Sequence, residues 1–137
     1  MDVKKLIAAA LFARRASYSP YSGYQVGAAL LTQKGKIYTG CNIENAAFTP
    51  TICAERTALF KAVSEGERKF AAIAVAGSPK GEQITQYSWP CGVCRQVLRE
   101  FCDPELFTVI VAKSEEEYEI RKLAELLPEG FGPENLA

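Results

Sequence analysis

Two short cysteine segments constrain this chain more than any other feature: Cys53-Ala54-Glu55-Arg56 and Pro90-Cys91-Gly92-Val93-Cys94-Arg95-Gln96. Each follows a stretch without apolar period and opens a helical pattern. Backbone N–H groups and the helix dipole at such a start stabilise anions and lower thiol pKa values. Cys91 and Cys94, three apart, share one face of a single helical turn. Cys53 joins them if the two helix starts lie side by side. Three thiolates then fill three corners of a tetrahedron and leave the fourth for water. Three protein ligands and an open position describe a catalytic zinc site, whereas structural sites use four.

A lone Cys-x-x-Cys admits other readings. It is compatible with a redox pair, or with half of a structural zinc site completed by Cys41 or Cys102. The redox reading lacks the strand–Cys-x-x-Cys–helix context at the start of the chain. Cys102 lies eight residues beyond Cys94, about 12 Å along a continuing helix. It reads as a core or surface thiol, and Cys41, at a strand end, as packing. Glu55 is a good first-turn residue for the dipole. It is also a carboxylate beside the open position, placed to accept a proton from water held there. Arg56 is either an exposed helix arginine or a partner for a thiolate. Three thiolates on Zn²⁺ leave a formal charge of −1, which on the second reading Arg56 would offset by hydrogen bonding.

Composition narrows the chemistry further. The chain contains no histidine, which excludes Ser-His-Asp triads, Cys-His pairs and imidazole metal sites. Its 16 basic and 16 acidic residues cancel, so it lacks the field that binds a phosphate polymer or anionic membrane nonspecifically. At 137 residues and 48% hydrophobic, it suits one globular domain over residues 1–137. Five cysteines cannot all pair internally. Lys4 and Lys5 precede an apolar run, Leu6 to Ala13, but Asp2 before it and Arg14-Arg15 after it favour an amphipathic helix over a signal segment. No run reaches the roughly 18 apolar residues of a membrane span. A cytoplasmic protein with reduced thiols is expected.

The remaining pattern gives the elements. Residues 2–17 read as a helix, with Leu6, Ala10 and Ala13 on one face. Ser19 to Gly23 form a loop. Gln25–Thr32 and Ile37–Cys41 form a hairpin around Gln33-Lys34-Gly35-Lys36. Residues 42–51 read as loop and 53–65 as a helix burying Ala54, Ala58, Leu59 and Ala62. Phe70–Ala76 is a buried strand, and 77–90 a loop. Residues 92–101 are a helix with Val93, Val97, Leu98 and Phe101 inward. Leu106–Ala112 and Tyr118–Ile120 pair antiparallel across a short turn. A short helix at 121–127 stops at Pro128, and the tail, 129–137, packs or frays. This order predicts a three-layer α/β/α sandwich around a mixed five-stranded sheet.

Cys-x-Glu followed by Pro-Cys-x-x-Cys is the all-cysteine form of a zinc deaminase signature. Nearly the whole chain resembles the small, homotetrameric, zinc-dependent cytidine deaminases. The resemblance is carried by Tyr21-Ser22, Val26 to Ala29, Gly40 to Ala46, Cys53 to Ala58, Pro90 to Gln96, Leu126-Leu127-Pro128 and Phe131. It implies one Zn²⁺ per subunit on Cys53, Cys91 and Cys94, with Glu55 as proton shuttle. It implies Asn42 and Glu44 on the ribose hydroxyls, Ala54 reading the base through its backbone, and Ala46, Phe48 and Phe131 supplied by neighbouring subunits. Three positions depart from the family's habit: Tyr24 where Phe is frequent, Phe48 where Tyr is frequent, and Trp89 where Ser is common. Tyr24 is still able to pack on the nucleoside. Phe48 cannot make a hydroxyl's hydrogen bonds. At position 89 the family uses a backbone carbonyl for the leaving amine, and the change puts the only Trp near the metal.

The implied reaction is hydrolytic deamination of free cytidine and deoxycytidine to uridine and deoxyuridine, a step of pyrimidine salvage. Three other readings compete with it. An aminonucleoside antibiotic deaminase is disfavoured by Asn42-Ile43-Glu44-Asn45, which suits a ribose. Editing of a nucleic acid polymer is disfavoured by the neutral charge and the lack of a basic stripe. A structural zinc module is disfavoured by the open position beside Glu55.

Overall fold

The structure, a computed structural model, describes all residues from Met1 to Ala137. The first helix, α1, runs Val3–Ala13 and tightens into a 3-10 turn at Arg14–Ala16. Asp2 caps it, its carboxylate accepting the Lys5 N–H at 3.0 Å. Strands β1 (Tyr24–Thr32) and β2 (Ile37–Cys41) follow, then α2 (Ala54–Ser64), β3 (Phe70–Pro79) and α3 (Gly92–Phe101). Strands β4 (Thr108–Ala112) and β5 (Tyr118–Lys122) lead into the single turn α4 (Leu123–Leu126) and a last 3-10 turn, Pro133–Asn135. No helix is long and apolar enough to cross a membrane.

The five strands lie in the order β2-β1-β3-β4-β5. Only β3 and β4 are parallel, and α3 lies in the crossover between them. Side chains alternate across the sheet as the pleat requires. On one face Ala29, Ala72, Ala74 and Ile110 meet Leu6, Ile7 and Ala10 of α1. On the other, Leu30, Ile73, Val75 and Val109 meet Ala58, Leu59 and Leu98 of α2 and α3. This is the expected three-layer sandwich. Each fully buried Leu or Ile contributes about 1.5–3 kcal/mol, so the two apolar layers hold both helical faces against the sheet.

Two glycines set how closely the helices approach. A Cβ on Gly27 would lie 2.1 Å from the Ala10 carbonyl oxygen of α1. A Cβ on Gly40 would lie 2.5 Å from the Ala58 nitrogen and 2.6 Å from the Ala54 oxygen of α2. Only a hydrogen fits at either position, so both helices sit directly on the backbone of the β1–β2 hairpin.

The structure corrects several boundaries. The helix read over 2–17 ends as α-helix at Ala13. β3 runs on to Pro79, because β1 pairs with it as far as Tyr24↔Pro79. β5 continues to Lys122, which pairs with Thr108, and this displaces the start of the last helix from 121 to Leu123. Val93 is 56% exposed, not inward, because the buried line of α3 runs through Cys94 and Leu98 and turns Val93 away from it. The tail packs on α3. Gln96 Nε2 donates to the Phe131 carbonyl at 2.8 Å, and Arg99 pairs with Glu134.

Candidate active site

Cys53 and Cys91 are the N-cap residues of α2 and α3, both in extended backbone, and neither side chain caps its own helix. Their sulfurs are therefore free to face each other, 3.8 Å apart. Cys94 lies one turn into α3 and is buried. The three sulfurs all lie within 4.8 Å of one another. Zn–S bonds of about 2.3 Å in a tetrahedron place sulfurs about 3.8 Å apart. The set therefore fits zinc and can hold it with one position open. All five cysteines are free thiols. Cys102 is buried and Cys41 half-buried, and neither belongs to the cluster, so a four-cysteine site does not form.

The electrostatics favour a thiolate at Cys53. Hydrogen bonding from Cys94, then from Arg56 and Cys91, outweighs burial and brings the Cys53 thiol down to about 5. Cys94, the donor in that pair, is pushed upward by the same bond and by burial. Arg56 Nη2 donates to the Cys53 sulfur at 3.3 Å. Its Nε–H is buried without a partner. The Nη2 bond to Cys53 suits a thiolate, which is a stronger acceptor than a thiol.

Glu55 is 5% exposed in the first turn of α2 and lines a cleft of about 480 Å³. Burial pushes its carboxyl up to about 7, the Cys53 charge adds to this, and Arg56 opposes it. A carboxyl of that pKa both accepts and donates protons at neutral pH. Cys53, Cys91 and Ala54 line the same cleft, as do Tyr24, Asn42 and Glu44.

Asn42 and Glu44 hold the cleft rim as well as facing it. Asn42 Oδ1 accepts from the Val26 N–H at 2.9 Å and from the Ser17 hydroxyl, and its Nδ2 donates to the Tyr24 carbonyl at 2.8 Å. One Glu44 oxygen accepts the Tyr21 and Ser22 N–H groups at 3.0 Å, and the other accepts the Ser22 hydroxyl. The Ser22 bonds, hydroxyl first, hold the Glu44 carboxyl below its ordinary range. Each side chain keeps spare capacity: a second N–H on Asn42 and a lone pair on Glu44. The Tyr24 hydroxyl donates to the Gly77 carbonyl at 3.3 Å and lies 3.2 Å from the Ser88 hydroxyl.

Ala46, Phe48 and Phe131 do not reach this cleft. Phe48, at φ 64°, is 72% exposed and packs edge-on against Tyr21, with ring centroids 6.2 Å apart. Phe131 is 54% exposed on the tail, and Ala46 is exposed. Trp89 lines the cleft, as expected from its neighbour Cys91. Sequence reasoning assigned no role to Tyr87 and Ser88, which line the wall, or to Arg95, whose Nε donates to the Pro90 carbonyl at 2.7 Å. The adjacency of all three to Pro90-Cys91 was the only available signal.

Comparison with known proteins gives one consistent picture. The family model for the cytidine and deoxycytidylate deaminase zinc-binding region matches residues 1–110. A cytidine deaminase of Sporosarcina psychrophila is 49% identical over 137 residues, covering 100% of this chain and 96% of its own. A probable cytidine deaminase of Dictyostelium discoideum is 44% identical, covering 98% and 87%. Among solved structures, the cytidine deaminase of Burkholderia pseudomallei superposes with a TM-score of 0.83 at 44% identity, over 93% of this chain and 97% of that one. That of Mycobacterium tuberculosis gives 0.79 at 35% identity, over 96% and 98%.

Proposed function

The chain belongs to the zinc-binding cytidine and deoxycytidylate deaminase family, and from that premise we propose that it hydrolyses free cytidine and deoxycytidine to uridine and deoxyuridine with release of ammonia. The observation that carries the reading is a buried glutamate that lines one cleft with Cys53 and Cys91, two members of a cluster of three thiols. Zinc, when bound by Cys53, Cys91 and Cys94, supplies the Lewis acid that makes water a nucleophile near neutral pH.

Glu55 manages the protons. It takes one from the attacking water and delivers it to ring N3 as the water oxygen adds to C4. It then takes the proton of the new C4 hydroxyl and passes it to the exocyclic amine, so that the C4 carbonyl forms as the C–N bond breaks and ammonia departs. Its carboxyl near 7 suits both directions of transfer. Arg56 balances thiolate charge through its bond to Cys53. The spare Asn42 N–H and Glu44 lone pair bind the ribose hydroxyls, the Ala54 backbone reads the base, and Tyr24 packs on the nucleoside.

The family resemblance implies a homotetramer of one-domain subunits, and the exposure of Phe48, Ala46 and Phe131 leaves them available to a neighbouring subunit. Zero net charge suits an uncharged nucleoside better than a phosphate polymer or a membrane. Five free thiols suit the cytoplasm, where the reaction serves pyrimidine salvage.

The test is loss of cytidine absorbance on mixing with purified protein, with and without chelator. Turnover abolished by chelator, and abolished in Glu55→Ala with zinc still bound, is expected. Near-wild-type activity of Glu55→Ala would overturn the assignment.

A further inference from the structure

The segment Tyr87-Ser88-Trp89-Pro90-Cys91 forms part of the cleft wall yet belongs to no helix or strand. Cys91 is also the most exposed of the three thiols. Apolar packing therefore does little to fix the sulfur that must meet Cys53.

Three cations from other parts of the chain grip this segment. Lys113, directly after β4, places Nζ 4.6 Å from the Tyr87 ring centroid. Arg121 of β5 lays its guanidinium carbon 5.5 Å from the Trp89 centroid. Arg95 of α3 donates Nε–H to the Pro90 carbonyl at 2.7 Å and Nη1–H to the Leu126 carbonyl at 2.8 Å. The cations are themselves anchored. Arg121 donates to the Glu119 carboxylate and to the Ile120 carbonyl, both at 2.9 Å, and Lys113 lies 3.7 Å from Glu117.

We propose that Arg95, Lys113 and Arg121 act as a clamp that positions Cys91 against Cys53 and Cys94 and so sets how long zinc is retained. The three are positioning residues, since none touches the thiols or lines the cleft. The inference rests on the reading of the three cysteines as zinc ligands but not on the identity of the substrate.

Two bonds differ in expected weight. A partly exposed cation–π pair accounts for a factor of about 2–5, and a part-buried charge-assisted hydrogen bond for about 10 or more. Arg121→Ala should therefore release zinc about 3-fold faster than wild type, and Arg95→Ala at least about 10-fold faster. Arg121→Lys, which keeps a cation over the ring, should restore most of the retention.

The experiment loads the purified protein with zinc and follows its transfer to a chromogenic chelator in excess, with Trp89 emission recorded on the same samples. Because Trp89 is the only tryptophan, its spectrum reports the clamp directly and should shift in Arg121→Ala. Arg121 lies on the partly exposed edge strand, so its variant tests the idea even if Arg95→Ala fails to fold. In a double-mutant cycle, Arg121→Ala should add nothing to the release rate of Trp89→Ala. Wild-type release rates in Arg121→Ala, or additive effects in the cycle, would overturn the clamp. A wild-type protein that binds no zinc would instead overturn the ligand assignment beneath it.

Discussion

Gly40→Ala tests whether backbone contact between β2 and α2 places the end of α2 that carries Cys53 and Glu55. The added Cβ would stand 2.5 Å from the Ala58 nitrogen and 2.6 Å from the Ala54 oxygen. Both are helix backbone atoms, so no side chain can swing aside. Restoring an ordinary 3.4 Å contact requires α2 to move by about 0.9 Å. Cys53, Glu55 and Arg56 stand at the moving end. Overpacking of this kind costs about 1–3 kcal/mol, which for a chain of this size lowers Tm by about 4–12 °C. A displacement near 1 Å at a reacting centre costs about 10²-fold in rate. The variant should therefore show both a lower Tm by calorimetry and a fall of about 100-fold in cytidine turnover at saturating zinc. Gly92→Ala is the control. It adjoins Cys91, yet a Cβ there meets nothing within 4 Å, and alanine in a helix is favoured over glycine by up to about 1 kcal/mol. Its Tm should hold or rise. A Gly40→Ala protein with wild-type Tm and turnover would refute the contact argument.

Two further outcomes follow from the thiols. Arg56→Gln removes a charged donor from the Cys53 sulfur, a bond of about 1.5–3 kcal/mol. Turnover or zinc content should fall at least about 10-fold, measured by rate assay and metal analysis, and a variant unchanged in both would refute the role. Burial raises Cys102 from 9.0 to about 12. An acid raised on folding contributes stability that is complete below pH 9 and is lost as pH rises through about 12. By denaturant titration, the advantage of wild type over Cys102→Ala should shrink by up to about 1.4 kcal/mol per pH unit above pH 9. A constant difference would show the thiol to be exposed.

Much of this arrangement was readable from residue order. The two cysteine segments stand where the helices begin, and Ala54, Ala58, Leu59 and Ala62 face the core because their spacing follows the helical turn. The extension of β3 through Gly77-Ser78-Pro79 was not readable. That triplet signals a turn, but pairing with Tyr24 to Val26 overrides it, and Pro79 sits at the strand's last position. Lys122 was lost to the last helix for the same reason, its partner Thr108 being 14 residues back. Val93 follows the apolar period of α3, but the buried line runs through Cys94 and Leu98 and turns Val93 away from it. At the site, metal ligands and Glu55 came from local motif. The placement of Arg121 over Trp89 did not, since no periodicity links an edge strand to a loop 32 positions away.

The placement of Cys53 and Cys91 on separate helix caps, 38 residues apart, also bears on how the chain gains stability. In the unfolded chain, Cys91 and Cys94 offer only a two-toothed clip, and the third sulfur arrives with the paired sheet. Zinc therefore favours the folded state almost exclusively, and its binding free energy appears as folding free energy. At a free zinc concentration 1,000 times Kd this amounts to about 4.1 kcal/mol. A cell short of the ion would thus lose folded protein as well as turnover, and the amount of this protein would follow its zinc supply.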